Sequence, residues 1–138
     1  MIICEHFAIQ ELVDRATYER FGVGAWQFLS QEGLIALDGI REYFGKPVIV
    51  NTWHRGGSFQ YRGLRPRSCD IGAEYSQHRL GNAFDCDVSG VSAEEVRREI
   101  LTHPNDPRLH RITCIEAGVN WLHFDCRNIA DRIRVVNP

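Results

Sequence analysis

The spacing of apolar residues predicts two helices in the first third of the chain and mainly short strands in the rest. From Phe7 to Ala16, apolar side chains recur at i, i+3 and i+4, which predicts a helix that Gly22 then breaks. A second helix is predicted from about Ser30 to Phe44, with Gly45 where glycine commonly ends a helix. Helices followed by mostly antiparallel strands predict an α+β fold, with the N-terminal helices packed on a mainly antiparallel sheet.

The remaining periodicity is mostly that of strands. Five strands are predicted, at 48–53, 83–88, 112–116, 121–126 and 133–136, the last of them at a sheet edge. The capping box formed by Ser92 and Glu95 predicts one more helix, which runs to about His103. Residues 54–76 show no periodicity, which is typical of a functional loop or of a disordered segment.

Length and composition exclude several classes of protein. A chain of 138 residues predicts one domain over 1–138, and 43% hydrophobic with 25% charged residues is ordinary globular composition. No apolar run approaches the roughly 20 residues of a membrane span, and the first residues lack a signal-peptide pattern. We therefore expect synthesis in the cytoplasm and no membrane partner. Five cysteines, an odd number without a C-x-x-C pair, predict reduced thiols.

Arginines are concentrated in the aperiodic loop. Among the 16 basic residues only Lys46 is a lysine, and the acid-free segment 55–67 contains Arg55, Arg62, Arg65 and Arg67. Together with aromatic residues such a cluster can bind nucleic acid. A formal net charge of −2 argues against this reading, so no nucleic-acid partner is expected.

Two segments carry the residues of a hydrolytic metal site. The first runs from Ser76 to Asp85, and the second is Trp121-Leu122-His123-Phe124-Asp125. They resemble the zinc peptidases of the peptidase M15 family, subfamily A, namely the D-Ala-D-Ala carboxypeptidases and related phage endolysins, whose signature is S-x-H-x-x-G-x-A-x-D followed by a histidine strand. The five fixed signature positions are present as Ser76, His78, Gly81, Ala83 and Asp85. The resemblance covers roughly residues 30–128 and implies a hedgehog/D-Ala-D-Ala peptidase-like fold.

The resemblance implies that His78, Asp85 and His123 bind zinc. Two imidazoles and one carboxylate form a three-ligand site that keeps a fourth position for water, whose pKa falls to about 7. Gly81 permits the bend that brings His78 and Asp85 onto one ion. The alternative for any one of these histidines is a hydrogen-bonded core or surface residue, but the three residues together favour a metal site.

The general base departs from the family pattern. Many relatives carry an acid three residues before the last zinc histidine, where this chain has Asn120. A turn at 117–120 would pair Glu116 with Trp121 and Cys114 with His123, so that Glu116 and His123 share a face as diagonal neighbours about 7–8 Å apart. Glu116 is therefore the predicted base, and its alternative is a salt bridge at the rim of the site. Asp125 shares the face of His123 and is expected to orient a ligand or to pair with a cation.

Two further residues are assigned to the substrate by the resemblance. Ser76 matches the serine that contacts the substrate carboxylate, and its alternative is a loop-capping role. Arg55 matches the arginine that steadies the oxyanion or that carboxylate, a task suited to a fixed guanidinium. Arg62, Arg65 and Arg67 have no family match and are expected to matter less.

The sequence thus predicts a zinc metallopeptidase of peptidoglycan stem peptides. It would act as a D-Ala-D-Ala carboxypeptidase or as an endolysin-type endopeptidase, phage or prophage encoded, monomeric, and reaching the wall after release or virion delivery. The alternative is a non-catalytic, zinc-stabilised wall-binding or virion structural protein. This alternative is supported by Asn120, which stands where many relatives carry an acid.

Overall fold

The computed structural model describes residues 4–138 and combines helices with one mixed sheet. Over those residues the α-helices are α1 (Arg15–Phe21), α2 (Gln31–Phe44) and α3 (Ala93–Thr102). The strands are β1 (Val48–Ile49), β2 (Ala83–Val88), β3 (Cys114–Glu116), β4 (Leu122–Asp125) and β5 (Arg134–Val136). Their order in the sheet is β1-β2-β4-β3-β5, and only the β3–β5 pair is parallel. The predicted α+β class is confirmed. Residues 1–3, part of the segment in which no signal peptide is predicted, lie outside the described residues.

The predicted first helix is wrong in its first half and confirmed in its second. The sequence predicts it from Phe7 to the break at Gly22, but the chain forms a short 3-10 turn at Ile9–Glu11 and begins α1 only at Arg15. Asp14 causes the break, because it has extended backbone angles and its carboxylate accepts a hydrogen bond from Thr17 N at 3.1 Å as an N-cap. The apolar spacing reflects burial of this irregular segment rather than a continuous helix.

Helices α2 and α3 lie where the sequence predicts them. Ser30 caps α2 by accepting a hydrogen bond from Gly33 N, and Gly45 ends it with a left-handed backbone at φ 62°. Ser92 caps α3 in the same way by accepting from Glu95 N. Local side chain to backbone contacts determine both starts, so the sequence alone locates them.

Strand β1 is much shorter than predicted. Only Val48 and Ile49 pair with β2, and the chain then leaves the sheet. Asn51 explains this departure, since its backbone N–H donates to Glu11 O at 2.9 Å and its side chain bonds Val13 O and Arg62 N. Residues 53–55 form a 3-10 turn instead of the end of a strand.

The β3–β4 hairpin has a different register from the predicted one. Glu116 pairs with His123 rather than with Trp121, and Cys114 pairs with Asp125 rather than with His123. The turn is longer because Ala117 N donates to Val136 O at 2.8 Å, so the end of β3 stays with β5. A shift of two residues preserves the face of every side chain, and Glu116 remains on the side of His123.

The sheet separates the core from the site. Phe84 of β2 and Phe124 of β4 are fully buried with ring centroids 5.8 Å apart, and they belong to the same core cluster as Leu37 of α2 and Ile100 of α3. Alternation along the strands then turns the residues between them to the opposite face. Among residues 4–138, none of the helices has the length and apolar character that crossing a membrane requires.

Candidate metal centre

Three neighbouring strands bring one residue each to a common row. In the sheet register Asp85 of β2 lies opposite His123 of β4, and His123 lies opposite Glu116 of β3. Directly paired residues on one sheet face have Cβ atoms about 4.5–5.5 Å apart. The row therefore places one carboxylate on each side of the His123 imidazole.

His78 reaches this row from the loop that precedes β2. The loop turns at Gly81, whose φ of 67° is left-handed and whose α-carbon lies so close to Phe28 O that a Cβ would collide with it. Gly81 O in turn accepts a hydrogen bond from Ser30 N at 2.9 Å, which ties the turn to the start of α2. The Nε2 atom of His78 consequently lies 3.3 Å from Asp85 Oδ1.

The three predicted ligands form a compact, buried group. One ligand atom from each of His78, Asp85 and His123 lies within 4.8 Å of the others, and all three residues are buried. His78 Nδ1 is 2.9 Å from Gly63 O, a carbonyl that can only accept, so the proton is on Nδ1 and Nε2 is free to bind a cation. Two imidazole nitrogens and a carboxylate oxygen are a donor set that suits zinc. The residues present therefore fit a metal.

The hydrogen bonds and charges within this group together outweigh the effect of burial on the pKa values of His123 and Asp85. Burial acts to lower the pKa of His123, but its hydrogen bonds to Asp125 and Asp85 raise that pKa to about 9. For Asp85 burial acts in the opposite sense, yet hydrogen bonds from His123 and His78 hold its pKa well below the ordinary value. The group thus attracts positive charge, which a proton or a metal cation can supply.

Behind His123 lies a second carboxylate, Asp125, which is fully buried. His123 Nε2 is 3.0 Å from Asp125 Oδ2, while His123 Nδ1 is 2.9 Å from Asp85 Oδ1. Arg127 holds Asp125 in a fork, with Nε and Nη2 each 2.7 Å from one of its oxygens. Burial raises the pKa of Asp125, but the hydrogen bonds from Arg127 and His123 lower it below its usual value.

A cavity of about 500 Å³ opens over the group. Asp85 and His123 form part of its wall, together with Arg65, Tyr75, Ser76, Glu116, Trp121, Arg127 and neighbouring residues. Ser76 also accepts a hydrogen bond from His78 N at 3.2 Å, which is the loop-capping contact. Its side of the loop faces the cavity as well. A small molecule or a peptide end can therefore approach Asp85 and His123 from solvent.

The sequence comparison agrees with this geometry. A family model described as Peptidase M15 matches residues 5–125, which is most of the chain. The chain belongs to the peptidase M15 family. M15 members are metal-dependent peptidases, so this M15 protein is a hydrolase whose substrate class is peptides. No curated protein and no solved structure matches the chain.

Of the predicted arginine Arg55 and its neighbour in the acid-free run Arg65, it is Arg65 that contacts a predicted metal ligand. Arg65 Nη2 is 3.2 Å from Asp85 Oδ2, and its Nε donates to Tyr61 O at 3.0 Å, which fixes the guanidinium at the cavity wall. Arg55 is exposed on the 3-10 turn 53–55 and does not line the cavity. The acid-free run of arginines signals a site of this kind but does not indicate which arginine reaches it.

Sequence reasoning also missed the role of Arg127, because nothing local marks its fork to Asp125. Arg62, another arginine of the acid-free run, forms a salt bridge with Asp87 at 3.0 Å. Asn120, which stands where relatives keep an acid, is exposed and does not line the cavity.

Proposed function

We propose that this M15 peptidase is a zinc-dependent hydrolase of peptidoglycan stem peptides. It would act as a D-Ala-D-Ala carboxypeptidase or as an endolysin-type endopeptidase, encoded by a phage or prophage, and it would work as a monomer on the cell wall after release or virion delivery. The observation that carries the proposal is the buried group His78, Asp85 and His123, of which Asp85 and His123 line an open cavity.

In this proposal His78 Nε2, Asp85 Oδ1 and His123 Nδ1 hold the zinc. When bound, zinc supplies Lewis acidity, which polarises a carbonyl oxygen and acidifies water. The ionised Asp85 and the fixed tautomer of His78 support this assignment, because metal ligands must present a lone pair rather than a proton.

Glu116 is the proposed general base. It lines the cavity and lies directly opposite His123 in the sheet, instead of at the diagonal placement expected from the sequence. Its carboxylate accepts a proton from the attacking water as the new C–O bond forms. The same proton then passes to the amine nitrogen as the peptide C–N bond breaks, which leaves a carboxylate and a free amine.

Substrate contacts are proposed for the arginine and the serine on the wall. Arg65 is favoured over Arg55 for the developing oxyanion, because its guanidinium is fixed beside Asp85 whereas Arg55 lies outside the cavity. Ser76, on the same wall, is proposed to bind the substrate carboxylate through its hydroxyl.

The decisive experiment is digestion of purified muropeptides followed by mass spectrometry. Loss of a single terminal alanine would indicate a carboxypeptidase, and two peptide fragments would indicate an endopeptidase. We expect cleavage by the zinc-loaded protein, none with a chelator, and recovery when zinc is restored. Intact muropeptides under all conditions would contradict the proposal.

One observation favours a second candidate, a zinc-stabilised wall-binding or virion protein without activity. Asn120 replaces the acid of many relatives and is exposed away from the cavity, so catalysis depends on Glu116 having taken over that task. A protein that binds zinc and sedimenting cell walls but cleaves no muropeptide would establish this second function instead.

A further inference from the structure

His123 is held between two carboxylates, one at each ring nitrogen. Its Nδ1 faces Asp85 Oδ1 at 2.9 Å, and its Nε2 faces Asp125 Oδ2 at 3.0 Å. A neutral imidazole carries its single proton on one nitrogen and a lone pair on the other. For His123 to bind a cation beside Asp85 and His78, the proton must therefore reside on Nε2, the nitrogen that faces Asp125.

Asp125 is suited to keep the proton there. Its side chain is completely buried, and an ionised carboxylate can only accept hydrogen bonds. The two Asp125 oxygens differ in their partners. Oδ1 accepts from the backbone N of Arg127 at 3.2 Å and from its Nε at 2.7 Å, whereas Oδ2 accepts from Arg127 Nη2 at 2.7 Å and faces His123.

Arg127 is anchored independently of Asp125. The hydroxyl of Thr113 donates to Arg127 O at 2.7 Å, which ties the chain beyond β4 to the segment before β3. The alternating sequence His123-x-Asp125-x-Arg127 then aligns imidazole, carboxylate and guanidinium in one chain of contacts. Besides its ion pair with Arg127, the Asp125 carboxylate contacts His123, a proposed metal ligand, through Oδ2. A purely structural ion pair would not require this second contact.

We propose that Asp125 and Arg127 are positioning residues that hold His123 with its Nδ1 lone pair towards the metal. The inference rests on the proposed zinc site, but it does not depend on which peptide is cleaved. Carboxylates that accept the outer N–H of a histidine ligand typically contribute about ten- to a hundredfold to metal affinity.

The substitution Asp125→Asn tests this inference because the contacts of Arg127 orient the new amide. Its oxygen is drawn to the Oδ1 position, where two N–H groups of Arg127 converge, and its NH₂ group then takes the Oδ2 position, where it faces His123 Nε2 and displaces the hydrogen bond from Arg127 Nη2. That NH₂ donates to Nε2 and moves the histidine proton to Nδ1, where it blocks the metal. We expect zinc affinity, measured by competition with a chromophoric chelator, to fall about ten- to a hundredfold.

Asp87→Asn is the matched control. Asp87 lies two residues after Asp85, as Asp125 lies two after His123, and it also pairs with an arginine, at 3.0 Å from Arg62 Nη1. The Asp87 carboxylate accepts its hydrogen bond from Arg62 and not from a histidine. Zinc affinity of Asp87→Asn should therefore stay within about twofold of the parent, a free-energy change of ~0.4 kcal/mol. Nitrogen-15 NMR of the zinc-loaded parent should show the His123 proton on Nε2.

The outcomes separate the two proposals. A parent that binds no zinc would refute the proposed function, whereas a zinc-binding parent with equal affinities in Asp125→Asn and Asp87→Asn would overturn this inference alone. If Asp125→Asn does not fold, the variant Arg127→Gln is used in its place. Arg127→Gln keeps the Asp125 carboxylate but removes the two side-chain hydrogen bonds from Arg127. An unchanged zinc affinity in folded Arg127→Gln, with the His123 proton still on Nε2, would likewise overturn it.

Discussion

The three carboxylates around His123 have different contacts, and these contacts determine what each can do. Asp85 and Asp125 are buried and accept hydrogen bonds from histidine or arginine, whereas Glu116 is only partly buried and lines the cavity. Both oxygens of Asp125 are engaged by Arg127, so it is poorly placed to serve as the base should Glu116 fail in that role. At the residue scale these contacts favour Glu116 over Asp125 as the proposed base.

Replacing Glu116 by Gln should therefore abolish most hydrolysis without disturbing the site. Glutamine keeps the size of the side chain but cannot take up a proton, so the rate of muropeptide cleavage should fall by a factor of about 10²–10⁴. Zinc content, measured by atomic absorption, should remain equal to that of the parent. The matched control is Glu19→Gln at an exposed glutamate of α1, which should cleave at the parental rate. Equal activity in both variants would mean that the base lies elsewhere.

The arginine of the site can be identified by a pair of conservative substitutions. Lysine retains the charge but loses the fork that Arg65 uses between Asp85 and Tyr61 O, so Arg65→Lys should lower kcat/KM at least tenfold, or about 1.4 kcal/mol. Arg55→Lys, at an exposed position outside the cavity, should have a smaller effect. Zinc content must be retained in both for the comparison to hold. The reverse order of effects would return the role to Arg55, as the family motif implies.

At the scale of elements, the turn at Gly81 connects the His78 loop with β2 and with the start of α2. It contributes a left-handed glycine, a carbonyl that accepts from Ser30 N, and close contact with the backbone at Phe28. A side chain at this position would need both a strained φ and a displacement of backbone atoms. The turn therefore determines how far His78 lies from Asp85.

Gly81→Ala should accordingly destabilise the protein and weaken the metal site together. We expect a loss of about 2 kcal/mol or more in the free energy of unfolding, measured with urea, and weaker zinc binding. Gly90→Ala is the control for strain alone, because Gly90 also has a positive φ, of 76°, but open space around its α-carbon. Gly90→Ala should lose about 1 kcal/mol and keep its zinc affinity. Similar zinc affinities in the two variants would contradict this role for the turn.

At the scale of the whole molecule, the proposed metal joins segments that are far apart in the chain. His78 comes from a loop, Asp85 from β2 and His123 from β4, so an ion bound to all three would link them only in the folded state. A ligand that binds only the native state stabilises it by about 2.7 kcal/mol at a free concentration one hundred times its Kd.

Metal removal should therefore lower the melting temperature measurably. Calorimetry of the parent should show a decrease of several degrees on chelation, at roughly 3–4 °C per kcal/mol for a chain of this size. His78→Ala should remove this dependence on zinc, whereas His54→Ala, at an exposed histidine of the 3-10 turn, should retain it. Stoichiometric zinc in a variant with alanine at 78, 85 and 123 would exclude these residues as the ligands.

Local chemistry in the sequence was sufficient to locate several parts of this protein. Ser30 with Gly45, and Ser92 with Glu95, identify two helices because a cap acts on backbone groups only a few residues away. The signature from Ser76 to Asp85 likewise identifies the M15 family and names two of the three proposed ligands, since its spacing belongs to one loop and one strand. His123 required a second motif, which the family resemblance supplied.

Only the tertiary structure decided which distant groups meet. Glu116 pairs with His123 where Ala117 N is bonded to Val136 O, and Arg65 rather than Arg55 contacts Asp85. Such contacts join residues far apart in sequence, and their geometry follows from how the core and the sheet pack together. Residue types and spacing therefore determine the chemistry available to this chain, whereas packing determines which side chains are close enough to use it.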